Sequence, residues 1–271
     1  MSINILIDIF VFVFGVCIGS FLNCVIFRLE QKEKMTGRSH CLHCKNTLSW
    51  KDLFPVLSFV CLGGKCRYCK GKISWQYPIV EIATGILFVF IFSSLGLDWR
   101  SGFGLWDLLK LCFMFYVASV LVIIFVYDLR YYIIPDKVLL PAIGITFLYR
   151  LFVSWQLKIE NLNLLLNFIF AAVIASGFFL FVFLISKGRW MGFGDVKLAI
   201  LMGFFLGLPN VLVALFLAFF FGAIIGTIMM IFKKKSLKSE MPFGPFLITG
   251  TFTAMLYGNY IIQWYLNLFQ I

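Results

Sequence analysis

Long apolar runs separated by short polar stretches make up most of this chain. Eight runs approach the length that a helix needs to cross about 30 Å of hydrocarbon. They cover residues 3–27, 79–97, 107–127, 137–155, 163–186, 195–208, 210–232 and 244–268. The sixth run is short, and Gly203 and Gly207 interrupt its apolar pattern. The pattern predicts an all-α polytopic membrane protein with about eight transmembrane helices.

The composition excludes a soluble globular protein. Hydrophobic residues make up 62% of the chain and charged residues 13%, and the mean hydropathy is +1.00, whereas soluble domains are about 25% charged. The first run lacks a basic leading segment and a small-residue cleavage site, and Asp8 stands where a secretory signal would have Lys or Arg. We therefore predict that residues 1–27 form a retained first transmembrane helix.

The positions of Lys and Arg between the runs predict the orientation, because cytoplasmic connections are enriched in these residues. With both termini outside, nineteen of the twenty-three fall on the cytoplasmic side. They divide as ten in 28–78, two in 128–137, three in 187–197 and four in 233–238, which leaves Arg100, Lys110, Arg150 and Lys158 outside. This topology accounts for the net charge of +11 without a nucleic-acid partner, and it predicts a multi-pass membrane protein with the polar loop and both aspartates on the cytoplasmic side.

Two carboxylates lie at the ends of apolar runs. Asp128 ends the third run, and Asp195 begins the sixth within Gly192-Phe193-Gly194-Asp195. An ionisable group in a membrane segment costs about 2.5–3.5 kcal/mol at the helix centre, so it indicates a function. Two neighbouring carboxylates can share one proton and supply both a general base and a general acid. The sequence therefore predicts a paired-aspartate active site at the cytoplasmic boundary, with glycines that allow a peptide to approach closely.

Three other charged residues lie near these runs. Asp136 follows Ile134-Pro135, and we predict that it caps the fourth helix. Lys197 either shifts the pKa of Asp195 or marks the inner boundary of the membrane. Glu81, at the start of the second run, either pairs with a basic residue of the preceding loop or takes part in transfer chemistry.

The polar stretch at residues 28–78 contains two Cys-x-x-Cys pairs. Twenty-one residues separate Cys41 and Cys44 from Cys66 and Cys69, which is typical of a tetrahedral four-thiolate zinc site. Disulfides are the alternative, but they are rare in the reducing cytosol. Substitute ligands would be His40, His43 and Cys61, which we rank below the four cysteines. A closed site of this kind is structural, so we predict a small cytoplasmic zinc-binding loop domain.

Several motifs along the chain resemble those of the type IV prepilin peptidases, which are membrane aspartyl proteases with a Gly-x-Gly-Asp motif. The matching segments are Gly19-Ser20-Phe21-Leu22-Asn23 with Arg28, both cysteine pairs, Trp50 and Asp52 before Pro55, Gly64-Lys65-Cys66-Arg67, Tyr77-Pro78-Ile79-Val80-Glu81, Asp128 with Ile134-Pro135-Asp136, and Gly192-Phe193-Gly194-Asp195-Val196-Lys197. They occur in the family's order over nearly the whole chain. Leu42 replaces a common proline and Lys51 a common aromatic residue; both differences lie in the loop.

The resemblance implies that Asp128 and Asp195 are the catalytic pair of a protease core at residues 79–271. It implies type IV prepilins or pseudopilins as substrates, cut on the cytoplasmic side of the bacterial plasma membrane between a short basic leader ending in Gly and an apolar helix. Many members also methylate the new N-terminus with S-adenosylmethionine, and the cysteine loop is typical of those members. The sequence contains no methyl-donor motif that we recognise, so no donor-binding residue is assigned.

Two interpretations from other classes compete with this one. A proton-coupled transporter would use Asp128 and Asp195 as a proton relay and the zinc loop as a regulatory module. Such transporters are typically built from inverted repeats with broken helices at corresponding positions, and we find neither pattern. A membrane anchor that presents a zinc module to partners would leave both aspartates unexplained.

Overall fold

The computed structural model describes residues 3–96, 104–156, 162–232 and 241–268. All eight predicted runs form helices there, with ends close to those expected. The helices are α1 (Ile3–Glu30), α2 (Leu57–Cys61), α3 (Gln76–Ser94), α4 (Leu105–Tyr131), α5 (Asp136–Gln156), α6 (Leu162–Ser186), α7 (Phe193–Leu206), α8 (Asn210–Ile231) and α9 (Gly244–Leu268). Arg100, Lys158 and the basic residues of 233–238 lie outside the described residues.

The all-α polytopic fold is confirmed, although two of the eight helices are less suited to crossing a membrane than expected. Among the described residues, α1, α3, α4, α5, α6 and α8 are long and apolar enough to span a bilayer. Helix α9 is long but contains Thr, Asn and Gln side chains. Helix α7 has 14 residues and rises about 21 Å, less than the hydrocarbon thickness.

By its packing the chain divides into two compact units, residues 1–123 and 124–271, with the boundary inside α4. The proposed division into 1–27, 28–78 and 79–271 stays a prediction. In the first unit α1 crosses α3 at glycines. A methyl group on Gly15 would come within 2.8 Å of the Gly85 Cα, and one on Gly19 within 2.7 Å of the Glu81 Cα. Small residues four positions apart allow this close helix packing.

Helix α7 lies at the centre of the second unit. Eight of its residues are buried, among them Asp195. Gly203 of α7 faces the Ala172 backbone of α6 so closely that a Cβ would lie 2.3 Å from the Ala172 Cα. This close packing fixes the position of the short helix against α6.

The carboxyl end of α7 has its own polar partners. Arg150 of α5 donates hydrogen bonds to the carbonyl oxygens of Phe204 at 3.0 Å and Phe205 at 2.5 Å, and its guanidinium lies 3.9 Å from the Phe168 ring centroid. Asn167 of α6 exchanges two hydrogen bonds with the Leu208 backbone. These contacts satisfy carbonyl groups that a helix end leaves free, and they fix where α7 lies and hence where Asp195 lies.

Candidate active site and metal centre

The two predicted aspartates line one cleft in the second unit. Asp128 lies near the end of α4 and is 5% exposed, and Asp195 lies in the first turn of α7 and is 7% exposed. Both contribute to a cleft of about 810 Å³, and their charges are close enough to interact electrostatically. Two carboxylates from distant parts of the sequence are therefore brought together beside a space that can admit a polypeptide segment.

The Gly-x-Gly-Asp motif forms the start of α7. Gly192 is the N-cap, so Asp195 is the third helical residue, and its carboxylate accepts a hydrogen bond from the Gly192 N–H. This is half of a capping box. A methyl group on Gly194 would lie 3.0 Å from the Ile134 Cβ, whereas at Gly192 its nearest neighbour would be at 3.9 Å. Close packing against the helix start thus requires glycine mainly at position 194, where the neighbouring side chain is Ile134.

Asp128 is held by a residue that the sequence analysis missed. Gly244, the first residue of α9, donates its backbone N–H to the Asp128 carboxylate. A methyl group on Gly244 would lie 2.4 Å from the Asp128 Oδ2, so only glycine leaves room for the carboxylate. The signal in the sequence was the Gly244-Pro245 pair at a helix start, but its partner could not be known without the fold.

Asp136 and Lys197 form an ion pair at the cleft. Asp136 begins α5 as expected, but its carboxylate accepts hydrogen bonds from the Lys197 Nζ at 2.8 and 2.7 Å. The ion pair therefore links α5 to α7, and the capping role of Asp136 stays a prediction. Since the Lys197 charge is balanced by Asp136, the pair joins the starts of two helices that border the cleft.

The four predicted cysteine ligands come together in the first unit. The sulfur atoms of Cys41, Cys44, Cys66 and Cys69 all lie within 4.8 Å of one another. The Cys41 and Cys69 sulfurs are 3.8 Å apart, which is the spacing of two ligands in a tetrahedral site with Zn–S bonds of about 2.3 Å. It is well beyond the roughly 2.05 Å of a disulfide. The cluster therefore fits a metal ion.

The two Cys-x-x-Cys pairs have the same backbone geometry. The Cys41 N–H donates to the Asn46 carbonyl at 2.9 Å, and the Cys66 N–H donates to the Gly71 carbonyl at 2.8 Å. Burial opposes ionisation of the Cys41 thiol, but N–H groups of Cys44 and His43 donate to its sulfur and lower its pKa to about 7. The Gly71 N–H lowers the pKa of Cys69, but desolvation and the neighbouring thiols outweigh it and raise that pKa to about 11. Near neutral pH the cluster therefore ionises fully only when a bound metal ion supplies positive charge.

The substitute ligands lie outside the cluster. His43 packs against Gly71, and its Nε2 is 3.3 Å from the Lys72 carbonyl oxygen. His40 pairs with Glu33, with 3.7 Å between Nε2 and Oε1. Cys61 is exposed and is not part of the group. Among the described residues the four cysteines alone form a metal-binding group.

An ion pair between the buried side chain of Asp52 and the exposed side chain of Arg67 fastens the loop beside the cluster. The Asp52 carboxylate accepts hydrogen bonds from Arg67 Nε at 2.7 Å and from Ser49 Oγ at 2.8 Å. Burial raises the pKa of Asp52, but the hydrogen bonds from Arg67 and Ser49 outweigh it and leave the pKa below its ordinary value. The charged form of Asp52 thus ties the Trp50–Asp52 turn to the second cysteine pair.

Glu81 forms no ion pair among the residues that the structure describes, contrary to one of the two predictions for it. Its carboxylate accepts the Val56 N–H at 2.7 Å and a hydrogen bond from Ser20. The side chain is 5% exposed. Glu81 therefore connects α3 to the loop through the Val56 backbone.

Comparisons with known proteins cover nearly the whole chain. A family model described as the bacterial peptidase A24 N-terminal domain matches residues 13–95, and one described as the type IV leader peptidase family matches residues 115–227. No solved structure matches the chain.

The similar curated proteins share one name, prepilin leader peptidase/N-methyltransferase. The Bacillus subtilis protein is 30% identical over 261 residues, covering 95% of this chain and 97% of its own length. The Aeromonas hydrophila protein is 31% identical, covering 96% and 93%. The Stutzerimonas stutzeri protein is 28% identical, covering 94% and 92%.

Proposed function

Because the chain belongs to the type IV leader peptidase family, we propose that it is an aspartic endopeptidase in which Asp128 and Asp195 cut type IV prepilins or pseudopilins. The bond cleaved is the one between the short basic leader and the apolar helix that follows it. Cleavage takes place at the cytoplasmic face of the plasma membrane, where the distribution of Lys and Arg places the two carboxylates. Asp136 stays outside the reaction.

The observation that carries this proposal is the burial of both aspartates in one cleft. Among the described residues no cation forms an ion pair with either aspartate. Two separate buried charges are unfavourable, so the pair is best satisfied by one shared proton. Each accepts a backbone N–H, from Gly244 and from Gly192 respectively. These bonds orient the two groups while leaving oxygen atoms free for water and substrate.

Sharing one proton gives the two carboxylates different roles in peptide-bond hydrolysis. The ionised aspartate accepts a proton from a water molecule as its oxygen attacks the scissile carbonyl carbon, and the protonated aspartate donates a hydrogen bond to the carbonyl oxygen. When the tetrahedral intermediate collapses, the C–N bond breaks and a proton passes to the leaving amine. The products are a free leader and a chain with a new N-terminal amine.

We assign zinc to the four-cysteine cluster, with a structural role. Four thiolates fill the coordination sphere of a tetrahedral zinc ion, which leaves no position for a reacting water. When bound, the ion would cross-link the two halves of the loop, since a metal that binds only the folded form contributes its binding energy to folding.

Methylation of the new N-terminus from S-adenosylmethionine is a second proposed activity. Its support is the match to the N-terminal domain and the name of the relatives. The cavity beside the cysteine cluster measures about 180 Å³, less than the roughly 300–1,000 Å³ of typical small-molecule sites. The residues as arranged do not enclose a nucleoside-sized donor, so no step is derived for it. Transfer of a labelled methyl group to a cleaved pilin would test this activity.

The peptidase proposal is tested with purified protein, lipid vesicles and a prepilin substrate. Asp128→Asn and Asp195→Asn should each lower the cleavage rate by about 10²–10⁴-fold, because each removes an acid–base group. Asp136→Asn is the matched control; its ion pair is half exposed and is worth only about 0–1 kcal/mol, so most activity should remain. Equal activity of all three variants would remove the pair from the mechanism.

The transporter interpretation loses its support at this point. The family to which the chain belongs is named for peptidases. A proton-coupled transport signal from vesicles that contain the unchanged protein, lost in Asp128→Asn, would be needed to revive it.

A further inference from the structure

The loop that holds the cysteine cluster exposes an apolar surface that neither the metal nor the peptidase reaction uses. Five side chains between Trp50 and Cys61 are open on their outer face. They are Trp50 (66% exposed), Leu53 (44%), Phe54 (49%), Leu57 (63%) and Val60 (69%). Leu57 and Val60 lie three positions apart in the short helix α2, so they share one face. An apolar patch of this kind on a polar loop indicates a contact with something apolar.

Helix α3 sets the depth at which this segment lies. Its 19 residues rise about 28 Å, which barely covers the hydrocarbon thickness, so its first residue Gln76 must lie at the membrane boundary. Glu81 is five residues further along α3, about 7 Å deeper. Since the Val56 N–H donates to the Glu81 carboxylate at 2.7 Å, the start of α2 lies just inside that boundary, at the depth where an interfacial helix buries its apolar face.

A second contact gives the same depth. The ring of Phe59, in α2, lies 4.9 Å from the ring of Trp75, which directly precedes α3 and is 69% exposed. Tryptophan side chains at the ends of transmembrane helices prefer the membrane interface. Helix α2 is therefore attached beside an interfacial tryptophan.

The segment is held there against a conformational cost. Val56 has φ +59°, an unfavourable value for a β-branched residue. This strained residue is the one whose N–H donates to the Glu81 carboxylate. At the other end, Asp52 is fastened by Arg67 and Ser49. The position of the segment is thus fixed from both sides.

The charges around the patch suit an anionic surface. Residues 50–75 include the exposed basic side chains of Lys51, Lys65, Arg67, Lys70 and Lys72, and their one acidic residue, Asp52, is already paired. The Lys51 Nζ lies 5.6 Å from the Trp50 ring centroid. Basic residues near an anionic leaflet are attracted to it electrostatically.

We propose that the segment from Leu53 to Cys61 lies in the headgroup region of the bilayer, with Leu57 and Val60 against the acyl chains and the neighbouring basic residues against anionic headgroups. The partner is the lipid surface, because α2 contacts Trp75 through Phe59, and Ile79 of α3, one turn beyond Trp75, is 60% exposed. Short apolar faces bordered by basic residues bind membranes in this way. The cysteine loop thereby gains a membrane contact beyond its connections to α1 and α3.

A photo-crosslinking experiment tests this proposal in the full-length protein. Benzoylphenylalanine replaces Val60 in one variant, Phe90 in a second as the lipid-facing reference, and Tyr68 of the second cysteine pair in a third. After irradiation in phosphatidylglycerol vesicles, mass spectrometry of the labelled peptides should show phospholipid adducts at position 60 in a yield close to that at position 90 and several-fold above that at position 68. An unchanged zinc content in each variant shows that the loop is folded.

Adducts at position 60 that are confined to polypeptide, whether a prepilin, a second copy or this chain itself, would overturn the proposal, as would the absence of lipid adducts where position 90 forms them. In phosphatidylcholine vesicles the yield at position 60 should fall while that at position 90 stays the same. Equal yields at position 60 in both lipids would refute the electrostatic part.

Discussion

At the scale of single residues, the catalytic proposal depends on how two carboxylates are held. The sequence predicted Asp128 and Asp195 because a charge at the end of an apolar run is costly and therefore conspicuous. It did not predict Gly244, because a glycine has no side chain whose chemistry indicates a partner. Its role appears only when α9 meets the end of α4 and the Gly244 N–H reaches the Asp128 carboxylate.

This contact predicts a specific effect of Gly244→Ala. The added methyl group would come within 2.4 Å of the Asp128 Oδ2 and displace the carboxylate, and a shift of about 1 Å at a reacting group can cost 10²-fold in rate. We expect kcat in prepilin cleavage to fall by about this factor, while KM changes little.

Gly258→Ala is a matched control in the same helix. Its methyl group would lie 2.5 Å from the side-chain oxygen of Asn210, a similar clash away from both aspartates. It should lower the melting temperature about as much as Gly244→Ala does but leave kcat nearly unchanged. If both variants lost activity in proportion to their stability, the Gly244 effect would be structural only.

At the scale of elements, the short helix α7 and the cysteine loop are the two unusual parts of the fold. The apolar run at 195–208 predicted a weak span, and α7 is indeed too short to cross the bilayer alone. Arg150 compensates by capping its carboxyl end. From the sequence, the charge distribution predicted only that Arg150 lies on the outer side. Its capping role was not predictable, because a cap supplied by another helix leaves no local pattern in the sequence.

Arg150→Met should therefore destabilise α7. It removes two hydrogen bonds from a charged donor, each worth about 1.5–3 kcal/mol, and leaves two helix-end carbonyl groups without that partner. Thermal unfolding in detergent should show a lower midpoint, and cleavage should decrease because α7 positions Asp195. A midpoint equal to that of the unchanged protein would show that the cap contributes nothing to stability.

The cysteine loop was largely predictable, because the Cys-x-x-Cys spacing itself specifies a four-sulfur geometry. We expect one zinc ion per chain by elemental analysis. Cys44→Ser should abolish zinc binding and make the loop sensitive to proteolysis, whereas Cys61→Ser, outside the cluster, should change neither. Equal zinc content in both variants, or a preparation of the unchanged protein without zinc, would contradict the metal centre.

At the scale of the whole molecule, the apolar pattern predicted the helices well, since the length and hydrophobicity of a membrane helix are properties of its own residues. Contacts between helices were harder to predict from the sequence. The close approach of α1 and α3 at Gly15 and Gly85, and the ion pair of Asp136 with Lys197, depend on helices distant in sequence. The pairing of the two aspartates is also a contact between helices distant in sequence. The resemblance to a family predicted this pairing before the fold was described.

The most direct test of the central claim is a comparison of kcat/KM for prepilin cleavage among Asp128→Asn, Asp195→Asn and the double variant. Groups that act as one unit show strongly non-additive effects when removed together. If the two carboxylates share one proton and one reaction, the double variant should be no slower than the slower single variant. Losses that multiply in the double variant would show two independent contributions and would contradict the paired site.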